Sequence, residues 1–282
     1  MFQNDNLLHG AIDMHVHFAP DPFRERKSSA LGLARQTAEA GMRGVVLKAH
    51  YYCSTPVCFT VNELGLGSEL FGSLVLNRSL GGLNPRAVGA AAALGTRVLW
   101  MPTTDSVVDA AMRGEVGLRL TGEDGGLLPE VGRILEIARE HDLLLCTGHI
   151  APQEVFALVG RAVEMGIKTV VTHPLTTVAG SLLSLDQQGE LADMGAFIEH
   201  CYVACTHPEQ RLPPMKIAEA VKAVGAGRCV LDTDFGQDYN PTPVEGMRMM
   251  IAALRDCGLS DDELESALKT NPARLLGIDL SR

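Results

Sequence analysis

Short apolar segments alternate along the chain with longer segments in which apolar residues have the spacing of helices. The apolar segments are rich in Val, Leu and Ile and are continuous rather than alternating, which is typical of strands covered on both faces. There are eight of them: Ala11–His15, Gly44–Lys48, Leu74–Asn77, Arg97–Met101, Leu143–His149, Thr169–His173, Ala196–Val203 and Cys229–Asp234. The pattern predicts eight short, buried strands.

Helical patterns with recognisable ends separate these strands. Pro129 begins one of them, and the apolar residues that follow recur at the spacing i, i+3, i+4 and i+7. Ser260 and Glu263 have the spacing of a capping box at the start of another. Strand and helix alternate eight times over roughly 250 residues, which is typical of a TIM barrel. We therefore predict an α/β fold, a (β/α)8 barrel, as a single domain over residues 1–282.

The structural alternative is a doubly wound open sheet. Such folds usually bind a nucleotide after their first strand, but neither G-x-G-x-x-G nor a P-loop follows the first predicted strand. One stretch interrupts the alternation of strand and helix. Between Thr103 and Pro129, a short helical segment is followed by Val-Gly-Leu-Arg-Leu and by a turn at residues 123–126. This stretch predicts a small β-hairpin inserted after the fourth strand.

Composition limits the classes of function. Hydrophobic residues make up 46% of the chain and charged residues 21%, which is enough to bury a large core. The net charge of -10 argues against non-specific binding to nucleic acid or to anionic membrane surfaces, but it does not exclude an anionic small-molecule substrate held locally by metal and Arg. The seven cysteines form no C-x-x-C pair, and the sequence has no secretory signal or transmembrane run. A reducing cytoplasm is the expected location.

Two histidines end the first predicted strand. Side chains at positions i and i+2 of a strand point to the same face, so His15 and His17 can converge on one point inside the barrel mouth. Neutral imidazole is a good ligand for a borderline divalent metal such as zinc. On its own, however, an H-x-H pair is weak evidence for a metal site.

The positions of three further polar residues strengthen the metal hypothesis. His149, His173 and Asp234 end the fifth, sixth and eighth apolar segments. The carboxyl ends of the strands are the face on which TIM-barrel enzymes build their active sites. The alternative, that these are satisfied core or loop histidines, does not account for their common placement. We therefore predict a metal site that includes all five residues.

This ordered set resembles the signature of the amidohydrolase superfamily. H-x-H on strand one, single histidines on strands five and six, and an aspartate on strand eight match that signature, and Asn-Pro-Ala-Arg-Leu-Leu-Gly-Ile near the end is similar to its closing segment. The resemblance covers essentially the whole chain. It implies one or two divalent ions, zinc above all, which activate a water for attack on a carbonyl or related centre. It also implies a possible homo-oligomer.

The sequence departs from this resemblance at the fourth strand. Binuclear members often carry a carboxylated lysine there, but this segment reads Arg-Val-Leu-Trp-Met-Pro and has neither Lys nor Glu. Lys48 instead ends the second strand, with His50 two residues further on. Three interpretations of Lys48 stay open: a carbamylated bridge between two metals, an ammonium group that binds a substrate carboxylate, and a solvated side chain past the strand end.

Several other polar residues lie near these strand ends. Asp232 is a rival for the role of Asp234, since i, i+2 spacing places both on one face. Glu199 and His200 lie in the seventh strand, where a supporting role is expected. Gln237 follows the eighth strand and is a candidate for substrate contact, as is Asn240. The remaining histidines are predicted to be surface residues: His9, His141 and His207.

These residues predict a mechanism and leave two alternatives. In the favoured hypothesis, a metal-activated water attacks an amide, lactone or ester carbonyl, and Asp234 acts as general base. Lys48, His50 and Gln237 would then contact the substrate. The second hypothesis is that the protein is a non-oxidative decarboxylase that uses a similar mononuclear site to act on a small, aromatic carboxylic acid. The third is a non-catalytic metal-binding barrel.

Overall fold

Each strand of the barrel pairs in parallel with the next strand in the sequence. In the computed structural model, which describes residues 5–279, all eight strands form one sheet in the order β1 to β8. The strands are β1 Ile12–His17, β2 Gly44–Lys48, β3 Glu69–Val75, β4 Val98–Trp100, β5 Leu144–Cys146, β6 Thr169–Val171, β7 Phe197–Cys201 and β8 Cys229–Asp232. The predicted (β/α)8 barrel is confirmed. That residues 1–282 form a single domain stays a prediction.

Helices connect the strands on the outside of the barrel. The α-helices are α1 Asp5–Leu8, α2 Ala30–Glu39, α3 Thr55–Asn62, α4 Pro85–Ala93, α5 Val107–Met112, α6 Pro129–Glu140, α7 Pro152–Glu164, α8 Leu185–Met194, α9 Val203–Thr206, α10 Pro214–Val224, α11 Pro243–Asp256, α12 Asp261–Glu265 and α13 Asn271–Leu276. Shorter 3₁₀ turns lie at Arg78–Leu80 and Ala226–Arg228, and a π turn lies at Ser266–Thr270. Pro129 begins α6, and Ser260 caps α12 with Glu263 as predicted.

The insertion after β4 contains the predicted hairpin only in a minimal form. It begins with α5, and then an antiparallel bridge forms between Thr121 and Leu127. Beside this bridge, the N–H of Leu128 donates to the carbonyl of Leu120, and the N–H of Gly122 donates to that of Gly126. The Asp124 carboxylate accepts the backbone N–H of Gly126 and shapes the turn. The paired segments are too short to form two strands.

The barrel closes between β1 and β8 through side chains as well as backbone. The N–H of Met14 donates to Asp232 Oδ1 (2.6 Å), and Thr233 donates both its N–H and its hydroxyl to the Asp13 carboxylate. Burial raises the pKa of Asp13 to about 7 and that of Asp232 well above its ordinary value. These two carboxylates therefore close the seam inside the barrel, away from its mouth.

A bulge in β1 determines which residues face the barrel interior. Ile12 and Met14 pack in the interior cluster with Trp100, whereas Val16 packs in the outer layer against the helices. Strict alternation would then turn His15 outwards. The pairing of β1 with β2 shifts register between Asp13 and Val16, so His15 also lies inside, with its ring centroid 4.7 Å from that of Trp100. Bulges commonly re-aim side chains in this way.

His200 on β7 faces away from the barrel interior, and its ring is buried without hydrogen bonds among the described residues. It is 1% exposed, and neither ring nitrogen has a hydrogen-bond partner within residues 5–279. Burial lowers the pKa of His200 to about 4. A histidine whose folded-state pKa is depressed costs stability as the pH falls below its unfolded value of about 6.5, because the unfolded chain then binds the proton more readily.

We therefore expect His200→Leu to leave stability at pH 7.5 nearly unchanged or higher, and to stabilise the protein by about 2 kcal/mol at pH 5. Urea unfolding of the metal-free protein at the two pH values measures this difference. A variant whose advantage over the wild type is the same at both pH values would contradict the assignment.

The seven cysteines are all free thiols. Cys146, Cys201 and Cys229 are buried in β5, β7 and β8. Within residues 5–279, no helix combines the length and the apolar character that a membrane span requires.

Candidate active site

Two histidines and one aspartate converge at the mouth of the barrel. His15 Nε2 lies 3.2 Å from Asp234 Oδ1, and His17 Nε2 lies 3.0 Å from the same oxygen. The three ligand atoms lie within 4.8 Å of one another. Burial places the pKa values of His15 and His17 well below the ordinary histidine value, so both rings are neutral near pH 7 and have lone pairs for a metal.

Asp234 reaches this cluster from a loop and not from a strand. β8 ends at Asp232, and Asp234 has a left-handed backbone with φ of 52°. Its N–H donates to the carbonyl of His15 (2.9 Å), which ties the loop to β1. At Gly236 a Cβ would lie 2.1 Å from the carbonyl oxygen of His17, so only glycine fits this close approach. The i, i+2 rule therefore does not place Asp232 beside Asp234. Asp232 is fully buried at the seam.

His149 and His173 form a second convergent pair. Their Nε2 atoms lie 3.2 Å apart, and the His173 ring is stacked 5.8 Å from that of His15. Asp109 on α5 lies behind His149, with 2.6 Å between its Oδ2 and His149 Nδ1, and it also accepts the N–H of Gly180. Burial opposes ionisation of Asp109, but the His149 contact lowers its pKa below the ordinary value overall. The carboxylate thus directs His149 Nε2 towards His173.

Glu199 contacts the His15 ring at its Nδ1 atom. One of its oxygens lies 3.2 Å from His15 Nδ1, and the other accepts the backbone N–H of His173. An Nδ1–H donated to Glu199 leaves His15 Nε2 as the ligand atom. Cys201 Sγ is 3.6 Å from the same Nδ1. Burial raises the pKa of Glu199 to about 8. Of the two β7 residues considered from the sequence, Glu199 faces the barrel interior and His200 faces outwards.

Lys48 is a buried residue at the floor of the site. Its side chain is 1% exposed, with Nζ 2.9 Å from His15 Nε2 and 4.3 Å from the centre of the Trp100 ring. Burial lowers its pKa, although the carboxylates of Asp234 and Glu199 oppose that shift. The interpretation of Lys48 as a solvated side chain is therefore wrong. The other two interpretations both place it beside the ligands.

The remaining predicted residues line a pocket of about 350 Å³ above this floor. His50 lies 4.8 Å from the His17 ring, and its Nδ1 is 2.8 Å from the Thr103 hydroxyl. Gln237 uses its amide to hold the loop after β8, since it donates to the carbonyl of Asp234 and accepts from Asn240. His207 also lines this pocket and is half-buried.

The sequence did not indicate several residues of the pocket. Asp109 lies in the insertion, far from any strand end, and only its position on a helix capped by Ser106 distinguishes it. Arg24, Arg26 and Arg113 also line the pocket. Arg24 and Arg26 lie in the polar loop that follows β1, where charged residues are ordinary surface features.

The barrel fold is similar to that of several solved structures. An amidohydrolase from Pseudomonas aeruginosa has a TM-score of 0.68 and 12% identity, with 98% of both chains covered. The probable dipeptidase PvdM from the same organism has a TM-score of 0.69 and 14% identity, with 98% of this chain and 97% of that chain covered. A dihydroorotase from Saccharomyces cerevisiae has a TM-score of 0.58 and 12% identity, with coverages of 97% and 85%. At these identities the likeness shows a shared fold, and the resemblance found in the sequence is confirmed at that level.

The family is defined by sequence. Residues 10–199 match a family of unknown function (DUF6282), and the chain belongs to that family. No curated protein matches the chain. The matched region ends within β7 and contains four of the five predicted ligands, with Asp234 beyond it.

Proposed function

We propose that this protein is a metal-dependent hydrolase whose active site lies at the carboxyl ends of the barrel strands. The observation that carries this proposal is the meeting of His15 Nε2 and His17 Nε2 at a single oxygen of Asp234. Polar atoms this deeply buried are rarely brought together without a function. A zinc-type enzyme site of this kind has three protein ligands and one open position.

The donor set fits a divalent ion of the zinc class. Ligands about 2.1 Å from a tetrahedral zinc lie about 3.4 Å from one another, and the contacts of 3.0 and 3.2 Å approach that spacing. Two neutral imidazoles and one carboxylate are ligands that zinc prefers. His15, His17 and Asp234 would hold the ion. When bound, the ion supplies Lewis acidity, which lowers the pKa of a water ligand and polarises a carbonyl group.

The residues of the chain then have distinct tasks. Asp234, which is more exposed than the histidines and borders the pocket, takes the proton of the attacking water and delivers it to the leaving group. His149 and His173 present their Nε2 atoms to the same pocket, either as ligands of a weakly occupied second position or as donors to the substrate carbonyl. Asp109 and Glu199 hold the rings in orientation, as supporting carboxylates do in metal sites.

The number of ions depends on Lys48. Within residues 5–279, the mouth has one complete set of three candidate ligands that opens to the pocket, whereas His149 and His173 form only a pair. We propose a mononuclear site, or one with a weakly loaded second position, in which Lys48 contacts an anionic or carbonyl oxygen of the substrate. The competing interpretation is a carbamylated Lys48 that bridges two ions.

Lys48→Ala distinguishes these two interpretations. We expect the variant to keep the metal content of the wild type and to raise KM about tenfold or more, because one charged hydrogen bond to the substrate is lost. Protein prepared with ¹³C-bicarbonate should show no carbamate carbon signal. A wild type with two ions, a variant with one, and a carbamate signal that disappears in Lys48→Ala would contradict the mononuclear proposal.

A panel of compounds tests the reaction class. We expect zinc-loaded protein to hydrolyse members of a series of esters, lactones, amides and cyclic amides, and to release no CO2 from small aromatic carboxylic acids. Loss of CO2 from those acids without hydrolysis of any panel member would contradict the hydrolase proposal and favour a decarboxylase. Metal-stripped protein is the control, since both reactions should stop without the ion.

A further inference from the structure

The pocket above the site is lined by cations as well as carboxylates, although the chain as a whole has a net charge of -10. The cations are Arg24, Arg26, Lys48 and Arg113, and the carboxylates are Asp109, Glu209 and Asp234. Asp109 is engaged with His149, and Asp234 is engaged with the histidines. What the pocket can bind therefore depends on which of the cations lack an anionic partner.

Two of the three arginines already have partners. Arg113 donates from Nε and Nη2 to Glu115, and from its other donors to the backbone carbonyls of Thr104 and Asp109. Arg26 is buried and directs Nε and Nη2 to one oxygen of Asp21, at 2.9 and 2.7 Å. These guanidinium groups stabilise the loops from which they come. Their charges are largely neutralised by carboxylates within ion-pair distance.

Arg24 differs from both. Its side chain has no hydrogen-bond or ion-pair partner within residues 5–279, and it is exposed at the pocket. Its position is nevertheless fixed, because Asp21 Oδ1 accepts the backbone N–H groups of Phe23 and Arg24 while Asp21 Oδ2 holds Arg26. One carboxylate thus organises the loop after β1 and leaves the Arg24 guanidinium without an anion.

Arg24 shares the pocket with the candidate metal site. Its side chain and that of His17 both line this cavity. Phe23, which precedes Arg24 in the loop, packs edge-on against Tyr51, with 4.7 Å between the ring centroids. A substrate bound at His17 would therefore have a free cation in the same pocket.

We propose that Arg24 is a specificity-determining residue that binds a carboxylate of the substrate in the pocket that it shares with His17. This inference rests on the proposed hydrolase function and adds the substrate class: a monoanionic compound whose carboxylate is separate from the bond that is cleaved. A planar guanidinium group that has no other partner can bind one carboxylate through two parallel hydrogen bonds. Since Arg26 and Arg113 are already neutralised by carboxylates, the single free guanidinium of Arg24 suits a monoanion better than a phosphate dianion.

The test compares two esters of equal chain length on zinc-loaded protein. Mono(4-nitrophenyl) glutarate carries a distal carboxylate, and 4-nitrophenyl valerate does not. We expect the wild type to have the lower KM for the glutarate ester. Arg24→Gln should raise that KM about tenfold or more, with kcat nearly unchanged and with no change for the valerate ester. Arg24→Lys should raise the KM for the glutarate ester less than Arg24→Gln does. Lysine keeps the positive charge but lacks the two parallel N–H donors of the guanidinium group.

Arg139→Gln is the matched control. Arg139 is an exposed residue in the last turn of α6, and its replacement removes one positive charge outside the pocket. Equal KM values for the two esters, or a glutarate effect reproduced by Arg139→Gln, would overturn the proposal. If neither ester is hydrolysed, free glutaramate, which carries a single carboxylate, still tests the subsite through a rise in Tm. A rise that disappears only in Arg24→Gln supports the carboxylate site, and its absence in the wild type or its survival in Arg24→Gln overturns it.

Discussion

Replacing Asp234 by Asn should remove nearly all turnover, with a loss in kcat of about 10³-fold. Asn keeps the shape of the side chain and one oxygen that can still face the ion, but it cannot accept the proton of the attacking water. The backbone N–H of Asp234 would still donate to the carbonyl of His15, so the loop should keep its place. Steady-state kinetics together with metal analysis of the same preparation measure the two effects separately.

Asp232→Asn provides the matched comparison. Asp232 is fully buried at the seam, where Oδ1 accepts the N–H of Met14 and burial favours its protonated form. An amide can preserve that contact, so this change should be the milder one for kcat. An equal loss in both variants, or a greater loss in Asp232→Asn, would transfer the role of general base to Asp232.

The second large effect is expected on the metal. His15→Ala and His17→Ala each remove an imidazole that approaches Asp234 Oδ1, and the ion would keep only two of its three proposed protein ligands. Loss of a supporting partner already lowers metal affinity by about 10- to 100-fold, so loss of a ligand should exceed this. Competition with a zinc chelator measures the affinity.

His141→Ala is the control for these histidine variants. His141 is exposed at the end of α6, beyond the last helical residue Glu140, and should have no effect on zinc affinity. If His15→Ala and His17→Ala bound zinc as tightly as His141→Ala, the ion could not lie between them. Circular dichroism of each variant excludes unfolding as the cause of metal loss.

Much of the fold could be predicted because each strand is buried on both faces. A continuous apolar run such as Gly44–Lys48 is then visible without any partner strand, and its bounds agree with those of β2. β3 is the largest deviation, since it begins at Glu69 rather than at Leu74. Gly72 and Ser73 dilute the apolar signal there, although Ser73 is fully enclosed and donates its hydroxyl to the carbonyl of Leu47.

The site could be predicted only where it follows strand ends. His149, His173 and Asp234 come after short strands, and barrel topology alone brings such positions to one mouth. The inward position of His15 depends on a bulge that leaves no pattern in the sequence.

Asp109 and Arg24 illustrate a second reason why part of the site could not be predicted from the sequence. Both lie in loops or insertions, where a polar residue carries no periodic signal, and the role of each depends on its surroundings in the folded chain. Asp109 contacts His149, which is 40 residues away in the sequence. Arg24 is distinguished by the lack of a counterion for its side chain within residues 5–279.

We expect the mouth of this barrel to hold a divalent ion between His15, His17 and Asp234. Titration of metal-stripped wild-type protein with zinc, monitored by isothermal calorimetry, measures the binding. We expect one tight site per chain, with release of few protons because the histidines are already neutral near pH 7. A wild-type protein that binds no zinc, or that binds it equally well when His17 is replaced by Ala, would contradict the account.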